Sequence, residues 1–210
     1  ISVIITRDIF LFVFLRCVTV FYRRLFMRVV SGSAGGRKLI APDGFDVRPT
    51  TDKVKESVFN IIQFEIEGRR MLDLFAGSGQ MGIEALSRGA EHVVFVDNSR
   101  KSLDAVRQNV SAVGFTDRAT VIYGDSLDYL RRCGQKFGIV FLDPPYHNGL
   151  IPRVFELLPD LLERGAVVIC ETKSDEALPD GFGGFTAAKT YKYSSIKITL
   201  YRNKNTAEVE

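Results

Sequence analysis

Two short segments carry residue types whose spacing could do chemistry. The first is Asp143-Pro144-Pro145-Tyr146, which follows the apolar run GIVFL at 138–142. Two consecutive prolines fix the backbone and remove two N–H donors. The local carbonyls and the Asp143 carboxylate are then left as acceptors for a planar amine, with Tyr146 as an aromatic face for stacking. The second is Gly77, Gly79 and Gly82 in GSGQMG, directly after the apolar run MLDLFA at 71–76, with Asp97 twenty residues beyond Gly77. A turn of this kind, between a strand and a helix and with a distal acid, is the context of a nucleotide-type pocket.

The glycine pattern alone serves NAD and S-adenosylmethionine equally. The surrounding charges favour the second. Asp73 precedes the loop, Asp97 and Asp125 end the next two apolar runs, and no Lys or Arg lies between Met71 and Ser87. A pyrophosphate wants N–H groups and cations, whereas a sulfonium with an ammonium group suits an acidic wall. The expected cofactor is therefore S-adenosylmethionine, held by Asp73, Phe75, Gly77, Gly79, Gly82, Asp97 and Asp125. For Asp125 a second role, an acid at a helix N-terminus before Ser126, stands beside adenine contact.

Elements that must position these groups follow from periodicity. Helical spacing of Val54, Val58, Phe59, Ile61, Ile62 and Ile66 predicts a helix over about 50–66 with Thr51 as N-cap. Strands are predicted at 71–76, 92–97, 120–125, 138–143 and 166–171. Helices are predicted between them near 81–87, 101–112, 127–132 and 151–162. Such a series is α/β: a Rossmann-like, doubly wound, mostly parallel sheet. Residues 188–202 carry two β-rich pieces without a helix between them, so a hairpin through Ser194 and Ser195 adds antiparallel strands. Tyr191, Tyr193 and Tyr201 then pack on the edge strands. The glycine-rich pieces 32–36 and 181–184 read as loops.

Composition narrows the class. A chain of 210 residues with 46% hydrophobic and 25% charged residues supports one core and excludes a disordered or fibrous protein. Three distant cysteines and two histidines give neither a disulfide framework nor metal-ligand spacing, so metal-free chemistry in a reducing cytoplasm is expected. The net charge is +3, but residues 1–26 hold four arginines and one aspartate, leaving the remainder neutral. Nucleic-acid attraction must then come from a patch, and residues 27–55 offer one through Arg28, Arg37, Lys38, Arg48, Lys53 and Lys55. The apolar stretch 9–22 is interrupted by Arg16 and is too short for a spanning helix. Residues 1–26 are read as an apolar leader of upstream sequence, with a native start at Met27.

The tetrapeptide Asp143-Pro144-Pro145-Tyr146 resembles motif IV of class I amino-methyltransferases. More narrowly, MRVVSGSAGGRKL at 27–39, VRPTTDKVKESVFN at 47–60, DLFAGSGQMGIEALSRGA at 73–90 and FLDPPY at 141–146 are similar to the RsmD-type bacterial 16S ribosomal RNA guanine-N2 methyltransferases. The resemblance runs from Met27 to about Tyr201, and the apolar leader departs from it. It implies methyl transfer from S-adenosylmethionine to a guanine N2 amine in 16S rRNA of a small subunit or assembly intermediate. The implied catalytic residues are Asp143, Pro144 and Tyr146, with Arg28, Arg37, Lys38 and Arg48 on RNA phosphates. The chain divides into an arm and helix over 27–66 and a methyltransferase domain over 67–205, with no membrane partner expected and a monomer as the default. Other readings stay open on the residues alone: an adenine-N6 enzyme, because the motif reads an amine and not a base; an NAD-linked oxidoreductase; and a non-catalytic assembly factor.

Overall fold

Residues 27–42, 51–146 and 148–203 are described by the structure, a computed structural model. The leader at 1–26 and Arg48 lie outside them. Strands β1 (Met27–Arg28) and β2 (Lys38–Leu39) form a small antiparallel pair. Helix α1 (Asp52–Ile61) is capped by Thr51, whose side chain accepts from the Val54 N–H. It ends earlier than its periodicity predicts. Ile62 leaves helical geometry and a 3-10 turn over Gln63–Glu65 follows, which lets Ile62 and Ile66 both reach the core while Phe64 stands 94% exposed.

The remaining elements are β3 (Arg70–Leu74), α2 (Gln80–Ser87), β4 (His92–Asp97), α3 (Arg100–Val113), β5 (Ala119–Tyr123), α4 (Ser126–Arg132), β6 (Phe137–Leu142), α5 (Leu150–Leu157), β7 (Leu162–Lys173), β8 (Gly181–Phe182), β9 (Phe185–Tyr193) and β10 (Ile196–Asn203). They build one eight-stranded sheet of order β5-β4-β3-β6-β7-β10-β9-β8. The five strands from β3 to β7 are parallel and the last three antiparallel. The architecture is thus Rossmann-like α/β with a C-terminal antiparallel extension, as the periodicity predicts.

Both faces of the parallel strands are covered, which is why they read as continuous apolar runs and not as alternations. Along β3 and β4, Met71, Val93 and Phe95 join Val58, Phe59, Ile83 and Val106 from α1, α2 and α3 on one face. Leu72, Leu74, Val94 and Val96 join Leu127, Leu130, Val154 and Phe155 from α4 and α5 on the other. After β5 the chain returns to place β6 on the far side of β3. The order therefore reverses at β3, and ligands of such sheets bind at the carboxyl edge of that switch point.

Ser194 occupies the left-handed region (φ 53°) in the turn between β9 and β10, where the hairpin is predicted. Of the two glycine loops, 181–184 is instead β8 and a tight turn into β9. Phe182 there stacks on Phe155 at 3.9 Å, beside Phe185 and the fully buried Tyr201, whose hydroxyl donates to the Pro179 carbonyl at 2.7 Å. Among the described residues no helix is long and apolar enough to cross a membrane.

Candidate active site

The loop after β3 is held open by its own backbone. Phe75 adopts φ 78°, unfavourable for a residue with a side chain, and its N–H and that of Ala76 both donate to the Val96 carbonyl at 3.0 Å. Gly79 is left-handed (φ 75°) at the N-cap of α2. Gly82 answers a different demand: a Cβ there would lie 2.3 Å from Phe95 Cε1 and 2.7 Å from Val93 Cγ1, so its absence lets α2 sit directly on β4.

Each acid around the loop has a distinct place. The Asp73 carboxylate is buried behind the loop and accepts from the Gly82 N–H at 3.0 Å. Burial is the main influence on it and pushes its carboxyl up to about 7, with the Gly82 N–H opposing and the Asp97 charge adding. Asp97 lies at the mouth, where Oδ2 accepts from the Gly77 N–H at 2.9 Å and Oδ1 from the Ser99 N–H at 2.7 Å. Both oxygens keep a lone pair for a further donor. Asp125 Oδ1 accepts from the N–H groups of Leu127 (2.9 Å) and Asp128 (3.0 Å), capping α4, while the same residue lines the cleft. The helix-capping role predicted for it is thus present, and its place on the cleft wall leaves it available to a ligand.

That cleft has a volume of about 690 Å³. Phe75, Asp97 and Asp125 line one part of it, and Asp143, Pro144, Pro145 and Tyr146 another. Asp73, Gly77, Gly79 and Gly82 do not line it and brace it from behind. Burial first, then the negative charges of Glu171 and Asp73, drive the Asp143 carboxyl well above the usual carboxylate range. Tyr146 is 37% exposed, and Lys173 Nζ stands 5.7 Å from its ring centroid, within cation–π range. Tyr146, Ser195 and Ile196 also line a second cleft of about 380 Å³, whose other walls include Thr51, Lys53, Glu171, Lys192 and Tyr193. The Tyr193 and Ser57 hydroxyls pair there, tying the hairpin to α1.

The basic arm is distributed differently from the patch its charges predict. Lys55 is fully buried and donates to the Arg28 carbonyl, so it is structural. Arg28 Nε donates to Asp52 Oδ2 at 2.8 Å, and an Arg37 guanidinium N–H donates to the Ala112 carbonyl at 2.5 Å. Ala112 closes the C-terminal end of α3, whereas Ser99 and Ser102 at the other end line the cleft. At ~1.5 Å rise per residue that separates Arg37 from the cleft by roughly 15–20 Å. Lys38 is exposed on β2 and lines neither cleft.

A family model described as Conserved hypothetical protein 95, the RsmD family, matches residues 27–202. The chain belongs to this family. It is 39% identical over 183 residues to YlbH of Bacillus subtilis (strain 168), an alignment covering 85% of this chain and 100% of that protein. It is 31% identical over 184 residues to the protein named Ribosomal RNA small subunit methyltransferase D in Escherichia coli (strain K12), covering 87% and 92%. Among solved structures, yhhF from Escherichia coli superposes with a TM-score of 0.77 at 32% identity, covering 84% of this chain and 97% of that one. HI0767 from Haemophilus influenzae gives 0.72 at 33% identity, covering 85% and 98%. The RsmD-family chain is accordingly a methyltransferase of Rossmann-like fold.

Sequence reasoning missed several groups of this RsmD-family site: Glu171, Lys173, Lys192 and Ser195, together with Lys53 as a cleft residue. For Glu171 a signal existed. It ends the fifth apolar run as Asp143 ends the fourth, and parallel strands bring both ends to one edge. Lys192 and Lys53 had none, because they enter through the hairpin and α1, which the periodicity does not place relative to the site, and Lys173 lies on β7 beyond the predicted end of that strand at 171.

Proposed function

We propose that this chain transfers a methyl group from S-adenosylmethionine to the exocyclic N2 amine of a guanine in 16S rRNA of the small ribosomal subunit or an assembly intermediate. The observation that carries the reading is that Asp143-Pro144-Pro145-Tyr146, at the carboxyl end of β6, opens on the same cleft as Asp97 and Asp125. The names of relatives such as Ribosomal RNA small subunit methyltransferase D support the RNA class.

The residues present fit the cofactor. A cleft of about 690 Å³ is ligand-sized, its loop carries no Lys or Arg, and its acids face a site suited to a cation. Asp97 would accept the ribose hydroxyls, Asp125 would border the adenine, and Phe75 would flank both. When bound, S-adenosylmethionine supplies an electrophilic methyl on a sulfonium. The protein's task is then to present a poor nucleophile, since the lone pair of a guanine amine is delocalised into the ring. The Pro144 carbonyl and Asp143 accept the amine hydrogens, which turns the lone pair toward the methyl and stabilises the positive charge that develops on nitrogen. Tyr146 stacks on the base after it is splayed out of the RNA. The surplus amine proton leaves to Asp143 or to water. Positioning of this kind is worth roughly 7–11 kcal/mol in favourable cases. Lys53 and Lys192, on the second cleft, and Arg28, Arg37 and Lys38 farther out serve RNA phosphates, as does Arg48, which lies outside the described residues.

The test is transfer of labelled methyl from S-adenosylmethionine to small subunits lacking the modification, and in parallel to the same RNA freed of protein, followed by nucleoside analysis. N2-methylguanosine is expected, with subunits the better substrate. N6-methyladenosine would move the assignment to the adenine enzyme that the same acceptors allow, and the absence of label would overturn it.

A further inference from the structure

The geometry points to Glu171 as the residue that selects the base, its carboxylate accepting the N1–H of a guanine whose N2 amine is held by Asp143 and Pro144. The inference rests on the guanine-N2 reading and adds the group that distinguishes guanine from other amine-bearing bases.

Three observations place it. Leu142 of β6 pairs in parallel register with Cys170 of β7, so Asp143, the first residue past β6, is set beside Glu171, which is still within β7 and pairs with Ile198 of β10 on its other side. Glu171 lines the second cleft, which shares Tyr146, Ser195 and Ile196 with the first, so a base stacked on Tyr146 would lie between the two. Glu171 is also the one acid among the described residues lining that second cleft. It is 4% exposed and already engaged within the protein, but a carboxylate offers about four lone-pair sites and retains acceptor capacity. At this separation the Glu171 charge adds to the upward push that burial exerts on the Asp143 carboxyl.

The chemistry follows from the bases. Guanine presents a donor, N1–H, next to its N2 amine. Adenine and cytosine present an acceptor nitrogen next to theirs. A desolvated carboxylate beside the amine site therefore rewards guanine and repels the other two, which leave buried lone pairs opposed. Acceptors on the amine alone hold all three.

The test uses the full chain and small subunits whose target guanine is replaced by 2-aminopurine, which keeps the 2-amine but carries an acceptor at N1. The wild-type protein is expected to methylate the 2-aminopurine substrate at least about tenfold less efficiently than guanine in kcat/KM. Glu171→Gln supplies an amide N–H to N1. It is expected to lose about ten- to a hundredfold on guanine and to shrink the guanine to 2-aminopurine ratio by a similar factor, with cofactor affinity by calorimetry unchanged. A merely structural role would lower both substrates together and leave the ratio untouched, and that result overturns the inference. Equal use of the two bases by the wild-type protein overturns it without any variant. Failure of the wild-type protein to make N2-methylguanosine at all is a different result, and it refutes the underlying reading.

Discussion

Asp73 and Asp143 stand near each other behind and within the cleft, and burial raises both carboxyls, with different consequences. Asp73 lies behind the cleft and does not line it. In the folded chain it keeps its proton until about pH 7, whereas the unfolded chain releases it near pH 4, so the stability it contributes is complete at low pH and is lost as pH rises through that window. Asp73→Asn retains an acceptor for the Gly82 N–H and is expected to flatten the fall in unfolding free energy between pH 4 and pH 7, read by denaturant titration at a series of pH values. In the proposed mechanism Asp143 must be ionised to act as the stronger acceptor. The acidic limb of kcat/KM is therefore expected above the usual carboxylate range, and Asp143→Asn should abolish it. An acidic limb at ordinary carboxylate pH would contradict the burial account. These two acids were legible in the sequence as site candidates. Their placement, Asp73 behind the cleft and Asp143 on its wall, was not, because burial depends on which strand neighbours cover each side chain.

Helix α2 joins the glycine loop to the N-terminal arm. Its Glu84 is fully buried and accepts from the Val30 N–H (2.7 Å), the Ser31 N–H (2.9 Å) and Arg88 Nε (2.8 Å), while the Ser87 hydroxyl accepts from the Ala34 N–H. Asn109 on α3 accepts from the Ile40 N–H and donates to the Ile40 and Ser78 carbonyls. Glu84→Ala leaves those donors unpaired and is expected to cost about 3–5 kcal/mol and to open residues 27–42 to limited proteolysis. Gly82→Ala drives a methyl into Phe95 and should cost about 1–3 kcal/mol in the same unfolding assay, with weaker cofactor binding as α2 lifts off β4. The buried strands and the α/β alternation were readable because sheets covered on both faces impose continuous apolar runs. Strands β1, β2 and β8 have two residues each and exist only through partners on other elements, so periodicity had nothing to register. The end of α1 was misplaced for a related reason, since Ile62 and Ile66 satisfy helical spacing while reaching the core through a turn.

Taken whole, the chain carries a net charge of +3, too small to draw RNA by itself, so the position of each cation decides its effect. Lys53 and Lys192 line the second cleft, and Arg37 and Lys38 lie about a helix length from the first. Reversing Lys53 and Lys192 to Glu is expected to lower the slope of log affinity against log salt by about 0.7–0.9 for each phosphate that is no longer neutralised. Reversal at Arg37 and Lys38 should do the same if the RNA track extends beyond the cleft, and an unchanged slope would confine the interface to the cleft rim. On the proposed function the molecule separates two tasks along one sheet edge: Asp97 and Asp125 would hold the methyl donor, while the segment after β6 would present the amine. The most direct test takes one preparation of Asp143→Ala and measures both S-adenosylmethionine affinity and labelled-methyl transfer to small subunits. Affinity close to wild type with transfer lost is the predicted result. Near-wild-type transfer would contradict this division of tasks.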